Sequence, residues 1–224
     1  MRKIIFTLLL SFTFIGFSQN TLIPDQNFEQ ALIDLGIDSN PTPDGQVLTA
    51  DIEGVTQLNV NSKNIADLTG IEGFIALTEL RINNNQLTSL DVSNDPALTE
   101  LRINNNQLTS LDVSNNPALT RLECGNNQLT SLDVRSNPAL ETLSSVGNQL
   151  TDLDVRNGNN TDLWFFNASS NPDLTCIFVD DVSYSDANWS NIDPNSYFVE
   201  NEAECSNPSL LYPAIPDQNF EQAL

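Results

Sequence analysis

Three arginines recur about 20 residues apart in the middle of this chain, each two residues from a glutamate. The triplets are Glu79-Leu80-Arg81, Glu100-Leu101-Arg102 and Arg121-Leu122-Glu123. A spacing of two puts both charges on one face of a strand, so these six residues can pair with a charged partner or with one another. Asn83 and Asn104 continue the same face. The chemistry on offer is recognition, not bond-making. The chain contains no His, the commonest acid–base residue and zinc ligand, so Ser-His-Asp and Cys-His mechanisms are ruled out. No phosphate-cradling G-x-x-x-x-G-K-[ST] or G-x-G-x-x-G run occurs. Two carboxylates alone suffice for a glycosidase, but nothing singles out a pair among 30 acidic residues. We therefore expect no enzyme activity, no cofactor and no catalytic metal.

The elements that position these residues are repeats. Residues 77–97 read LTELRINNNQLTSLDVSNDPA, 98–118 read LTELRINNNQLTSLDVSNNPA, and 119–139 read LTRLECGNNQLTSLDVRSNPA. Self-similarity at this period means a stacked solenoid. Leu80 and Ile82 alternate with Arg81 in the manner of a short strand. Leu87, Leu90 and Val92 return along the far side of the coil, and Asn94-Asp95-Pro96 turns into the next one. Each buried apolar side chain contributes roughly 1.5–3 kcal/mol, but a single coil cannot bury its own face, so neighbours must stack. The strands then form one parallel sheet. Asn85, Asn106, Asn127 and Asn148 share one position and read as a ladder of buried amides bonded to backbone.

The frame L-x-x-L-x-L/I-x-x-N-x-L resembles the leucine-rich repeat. It implies an α/β solenoid with one parallel β-sheet on its concave face. Ahead of it, IPDQNFEQALIDLGID, LTADIEGVTQLNV and IADLTGIEGF resemble the cap and first repeat of internalin-like bacterial proteins. Asp25 is the expected N-cap of a helix over Gln26 to Leu35, with Phe28, Leu32 and Leu35 on one face and Gly36 at its stop. Behind it, NPDLTCIFVDDVSYSDANWSNIDPNSYFVENEAEC resembles the capping region of secreted flavobacterial leucine-rich repeat proteins. Cys176 and Cys205 bracket that run and are the expected disulfide of the C-terminal cap, pairings with Cys124 being the alternative. Cys124 takes the inward position of Ile82 and Ile103 and reads as a buried thiol.

Residues 1–18 read as a secretory signal peptide: Arg2 and Lys3, then an apolar run too short to span a bilayer. The expected organisation is signal peptide 1–18, N-terminal cap 19–54, repeats 55–170, C-terminal cap 171–206, and 207–224 as a linker with the start of a second, truncated cap. That last segment repeats IPDQNFEQAL of residues 23–32 at 215–224; it reads as part of a longer tandem protein, the alternative being a swapped or docked tail. The expected location is secreted or at the cell surface.

Net charge is −22. Without residues 1–18, 6 basic residues stand against 30 acidic ones. Such acidity repels nucleic acid and anionic membrane, and no membrane insertion is expected after signal cleavage. Three of the six basic residues, Arg81, Arg102 and Arg121, fall on the concave face. With Glu79, Glu100, Glu123, Asn83 and Asn104 they form the candidate binding face, and Trp164 and Phe165 in the last repeat extend it. A surface ion-pair lattice is the alternative for the charges, packing under the C-terminal cap the alternative for the aromatics. The Asp91, Asp112, Asp133 and Asp154 column, the Asp38, Asn40 and Asp44 loop, and Asp180, Asp181 and Asp186 do not match a calcium loop; turn hydrogen bonds are expected of the column. The resemblance implies a monomeric protein-binding or adhesion module for an extracellular or cell-surface protein or a glycan. The alternative is a structural spacer without a specific ligand.

Overall fold

The computed structural model describes residues 19–207; the segments expected to be a signal peptide and the start of a second cap lie outside them. The N-terminal cap pairs β1 (Asn20–Leu22) antiparallel with β2 (Gln46–Leu48) around helix α1 (Gln26–Asp34), and α2 (Thr49–Ile52) follows. Asp25 is the N-cap of α1: its Oδ1 accepts from Asn27 N and Phe28 N at 2.8 and 3.1 Å. Its Oδ2 accepts from Ala66 N and Asp67 N at 2.7 and 2.9 Å. One carboxylate thus starts the helix and fastens it to the first coil. Phe28 and Leu32 are fully buried, whereas Leu35 is 47% exposed. The helix ends at Asp34, so Leu35 sits in the cap and turns away from the core. Glu29, also buried, accepts from the backbone N–H groups of Asp44 and Gly45 and holds the 38–45 loop.

The solenoid makes about seven turns. On its concave side β3 (Gln57–Asn59), β4 (Glu79–Arg81), β5 (Glu100–Arg102), β6 (Arg121–Glu123), β8 (Thr142–Ser144) and β10 (Phe165–Asn167) form one six-stranded parallel sheet. The outer side carries, in addition, a second parallel sheet. It runs from β7 (Ser131–Asp133) through β9 (Asp152–Asp154) and β11 (Cys176–Phe178) to β12 (Tyr197–Val199). The coil position that gives β7 and β9 has the same outward Asp in earlier coils, but no bridging arginine: Arg135 pairs with Asp133 and reaches Asp154 of the next coil at 3.5 Å.

Leu77, Leu80, Ile82, Leu87 and Val92 are all within 1% of complete burial, while Leu90 is half-buried. The Asn ladder is present. Asn106 Oδ1 accepts from Leu87 N at 3.1 Å, and its Nδ2 donates to Ile82 O and Ile103 O at 3.0 and 3.2 Å. Asn127, Asn148 and Asn171 repeat the pattern. The Asp91 and Asp112 carboxylates accept from the N–H groups of Ser93 and Ser114, the turn bonds expected of that column.

Helices α3 (Val182–Asn188) and α4 (Glu202–Ser206) flank β12 at the C-terminal end. Cys176 and Cys205 form the disulfide, and Cys124 is a buried free thiol whose burial pushes its pKa up to about 12. Trp189 stacks on Phe166 at 4.5 Å and meets Phe198 edge-on at 5.7 Å, and its Nε1 donates to Leu163 O. No helix of the described residues is long and apolar enough to cross a membrane.

Candidate functional site

The concave face is built by register. Gln57, Glu79, Glu100, Arg121, Thr142 and Phe165 stand side by side across the sheet, and Asn59, Arg81, Arg102, Glu123, Ser144 and Asn167 form the next row. The two rows bring the Glu and Arg residues into one lattice. Arg81 Nε donates to Glu100 Oε1 at 2.5 Å and its Nη2 to Glu79 Oε2 at 3.0 Å. Arg102 Nη2 donates to Glu100 Oε2 at 3.3 Å, while its Nε lies 2.9 Å from Glu100 Oε1 without aiming its hydrogen there. Arg121 Nη1 donates to Glu123 Oε1 at 3.1 Å. Glu100 is the hub, contacted by all three arginines. Burial raises its carboxyl pKa, but the hydrogen bonds and charges of Arg81 and Arg102 outweigh burial and hold it below its usual range. Pairing with Glu100 raises Arg81 further above its ordinary value. These arginine side chains are 30–37% exposed, so a partner can reach them from above.

Asn83 and Asn104 fall on this face but their carbonyl oxygens are engaged. Asn83 Oδ1 accepts from Asn104 N at 2.8 Å, and Asn104 Oδ1 from Gly125 N at 2.7 Å. Asn104 Nδ2 also reaches Glu123 at 3.2 Å. Their bonds fix the spacing of the coils beneath the lattice. A Cβ at Gly125 would lie 2.8 Å from Val146 Cγ1, so this row closes where glycine replaces asparagine.

Trp164 and Phe165 lie at the C-terminal end of the same face, 65% and 38% exposed. They do not pack under the cap; Phe166 and Trp189 fill that place. At the N-terminal end, Leu35, Ile37, Val55 and Leu58 line one wall of a cavity of about 430 Å³ whose other wall holds Glu79 and Arg81. The sequence gives no sign of this pocket, because the helical pattern puts Leu35 on the core face of α1. Cys176 and Cys205 lie apart from the lattice and serve the cap alone. Among the described residues no group of three or more His, Cys, Asp or Glu side chains is placed to hold a metal ion.

Comparison with known proteins fits this geometry. Residues 50–181 match the family model described as the endo-beta-N-acetylglucosaminidase EndoS LRR domain. The functional domain of InlJ from Listeria monocytogenes, described as including a cysteine ladder, superposes with a TM-score of 0.59 at 31% identity, over 72% of this chain and 38% of that one. An internalin, InlF, from the same organism superposes with a TM-score of 0.55 at 23% identity, over 79% of this chain and 56% of that one. The chain thus spans less than two thirds of either. No curated protein matches it in sequence.

Proposed function

Because the chain belongs to the family of EndoS leucine-rich repeat domains, we propose that it is a non-catalytic extracellular binding module that engages a cell-surface or secreted partner, protein or glycan, through its concave face. One observation carries this reading. Arg81, Arg102 and Arg121, half of the six basic residues of 19–207, are gathered on one sheet of a strongly acidic molecule. Arginine and aromatic side chains are the usual anchors of interfaces, and Phe165 continues the arginine rows at the sheet's far end. The Cys176–Cys205 disulfide supports an oxidising, extracellular setting.

A second reading, a structural spacer, is favoured by one feature. Residues 77–97 and 98–118 differ only at Asp95 and Asn116, and a copied coil presents a uniform surface where a selected site is diversified. The two readings separate in a capture experiment. The full chain is immobilised and exposed to extracellular and surface proteins and glycans, beside the Arg81→Glu/Arg102→Glu double variant. Binding expects a ligand held by the native protein and lost by the folded variant. Equal capture by both removes the concave face from consideration and favours the spacer.

A further inference from the structure

Trp164 stands on the rim of the concave sheet, one residue before Phe165. Because Phe165 pairs with Thr142, the neighbour of Trp164 on the adjacent strand is Glu141. Trp164, Glu141, Asp162, Asn159 and Thr161 line one shallow cavity of about 580 Å³. The Trp164 indole meets the Phe165 ring edge-on at 6.2 Å, leaving most of its surface in water.

The charges around this ring are unbalanced. Every basic side chain of residues 19–207 is committed elsewhere. Lys63 pairs with Asp34, the three concave arginines pair with their glutamates, and Arg135 and Arg156 pair with Asp133 and Asp154. The carboxylates of Glu141 and Asp162 pair with none of them. A large exposed aromatic ring beside two uncompensated carboxylates is complementary to a cation that brings apolar surface with it. The ring quadrupole attracts the charge, and the carboxylates accept its hydrogen bonds. A guanidinium fits best, since it is planar, stacks on indole and donates in a fork. Anionic groups are repelled by both carboxylates. A neutral sugar can stack on the ring but leaves both charges uncompensated. The net charge of −22 also draws basic partners inward over a longer range.

We propose that this rim is a docking subsite for an arginine or lysine side chain in a basic segment of a protein partner, seated on Trp164 between Glu141 and Asp162. The inference rests on the concave face being the binding surface, and it specifies the partner's chemistry there.

The test titrates the full chain by calorimetry with acetyl-Arg-Arg-Arg-amide, acetyl-Glu-Glu-Glu-amide and maltotriose, while tryptophan emission is followed. The chain has two Trp, and Trp189 is buried, so an emission change locates binding at Trp164. Trp164→Leu and Glu141→Gln/Asp162→Asn are each expected to weaken the tri-arginine peptide about tenfold. Glu53→Gln/Asp173→Asn, which removes the same charge from exposed positions elsewhere, is expected to leave it unchanged. Added salt is expected to weaken binding. The inference is overturned by equal affinity in the native and rim variants, or by an emission change that saturates with maltotriose and not with the peptide. If capture of a partner is lost in the double concave arginine variant while the peptide ignores Trp164→Leu, the concave-face reading stands and this inference falls. If the peptide depends on Trp164 while capture ignores the concave arginines, the inference survives and the arginine lattice is removed from the binding face.

Discussion

Asp95 occupies the position at which the next two coils carry Asn116 and Asn137, and the substitution of carboxyl for amide has a cost. Asn116 Nδ2 donates to Val92 O and Asp95 O at 2.8 and 2.9 Å, and Asn137 does the same one coil later. An ionised Asp95 cannot donate, it is 2% exposed, and its Oδ2 has no hydrogen-bond partner. Burial, with a smaller push from Asp91, raises its pKa to about 6. Below about pH 3 the carboxyl is neutral folded or unfolded. As pH rises the unfolded chain ionises first, so stability falls until the folded group also ionises, near pH 6. The loss at neutral pH is about 2–3 kcal/mol on the usual conversion of a pKa shift. Asp95→Asn should abolish that fall and raise the melting temperature at pH 7 but not at pH 3; equal pH profiles for the two proteins would refute the assignment. The inner ladder makes a demand of its own. Asn106→Ala leaves the Leu87 N–H without its partner and removes one of the two amide donors from each of the Ile82 and Ile103 carbonyls, which keep Asn85 and Asn127, and denaturant unfolding should show a loss of about 1–3 kcal/mol. That ladder is legible in the sequence, since a recurring Asn in an apolar frame has few other uses. The Asp95 penalty is not, because Asp and Asn are equally good turn residues and only burial separates them.

Among the elements, the helical cap and the concave strands follow from pattern, and the outer sheet does not. Asp25, Phe28, Leu32 and Gly36 mark α1 in sequence, and period-2 alternation marks β4 to β6. Ser89-Leu90-Asp91 and Ser131-Leu132-Asp133 are the same tripeptide, yet only the second is a strand. Pairing with β9 decides this, so local propensity carries no signal for it. The C-terminal cap depends on its covalent tie. Cys176 and Cys205 are separated by 29 residues, and closing a loop of that length contributes about 3–4 kcal/mol on the chain-entropy model. Cys176→Ser/Cys205→Ser should lower unfolding stability by about that amount. It should also speed amide exchange in α4 and β12 ahead of the central coils. Uniform loosening along the solenoid would contradict a role confined to the cap.

Across the molecule, register converts a repeat into a surface. Every 21-residue step in residues 77–139 returns the chain to the same face, so the Glu and Arg of three coils meet although they are far apart in sequence. The columns of this face are legible from the repeat period alone. The wiring within it is not: Glu100 as the hub of three arginines, and the bonds of Asn83 and Asn104 to the next coil, depend on rotamers. The exposure of Trp164 is likewise hidden from the sequence, because either aromatic pair could fill the space beneath the cap, and Phe166 with Trp189 does so. That this face, and no other, holds the partner can be decided by the affinity of a captured ligand for two variants of equal net charge. Arg81→Glu/Arg102→Glu reverses charge on the concave sheet, and Lys63→Glu/Arg135→Glu does so away from it. The first should lose the ligand by at least about tenfold, a difference of about 1.4 kcal/mol, while the second should keep it. Equal loss in both, or retention in both, would contradict binding through the concave face.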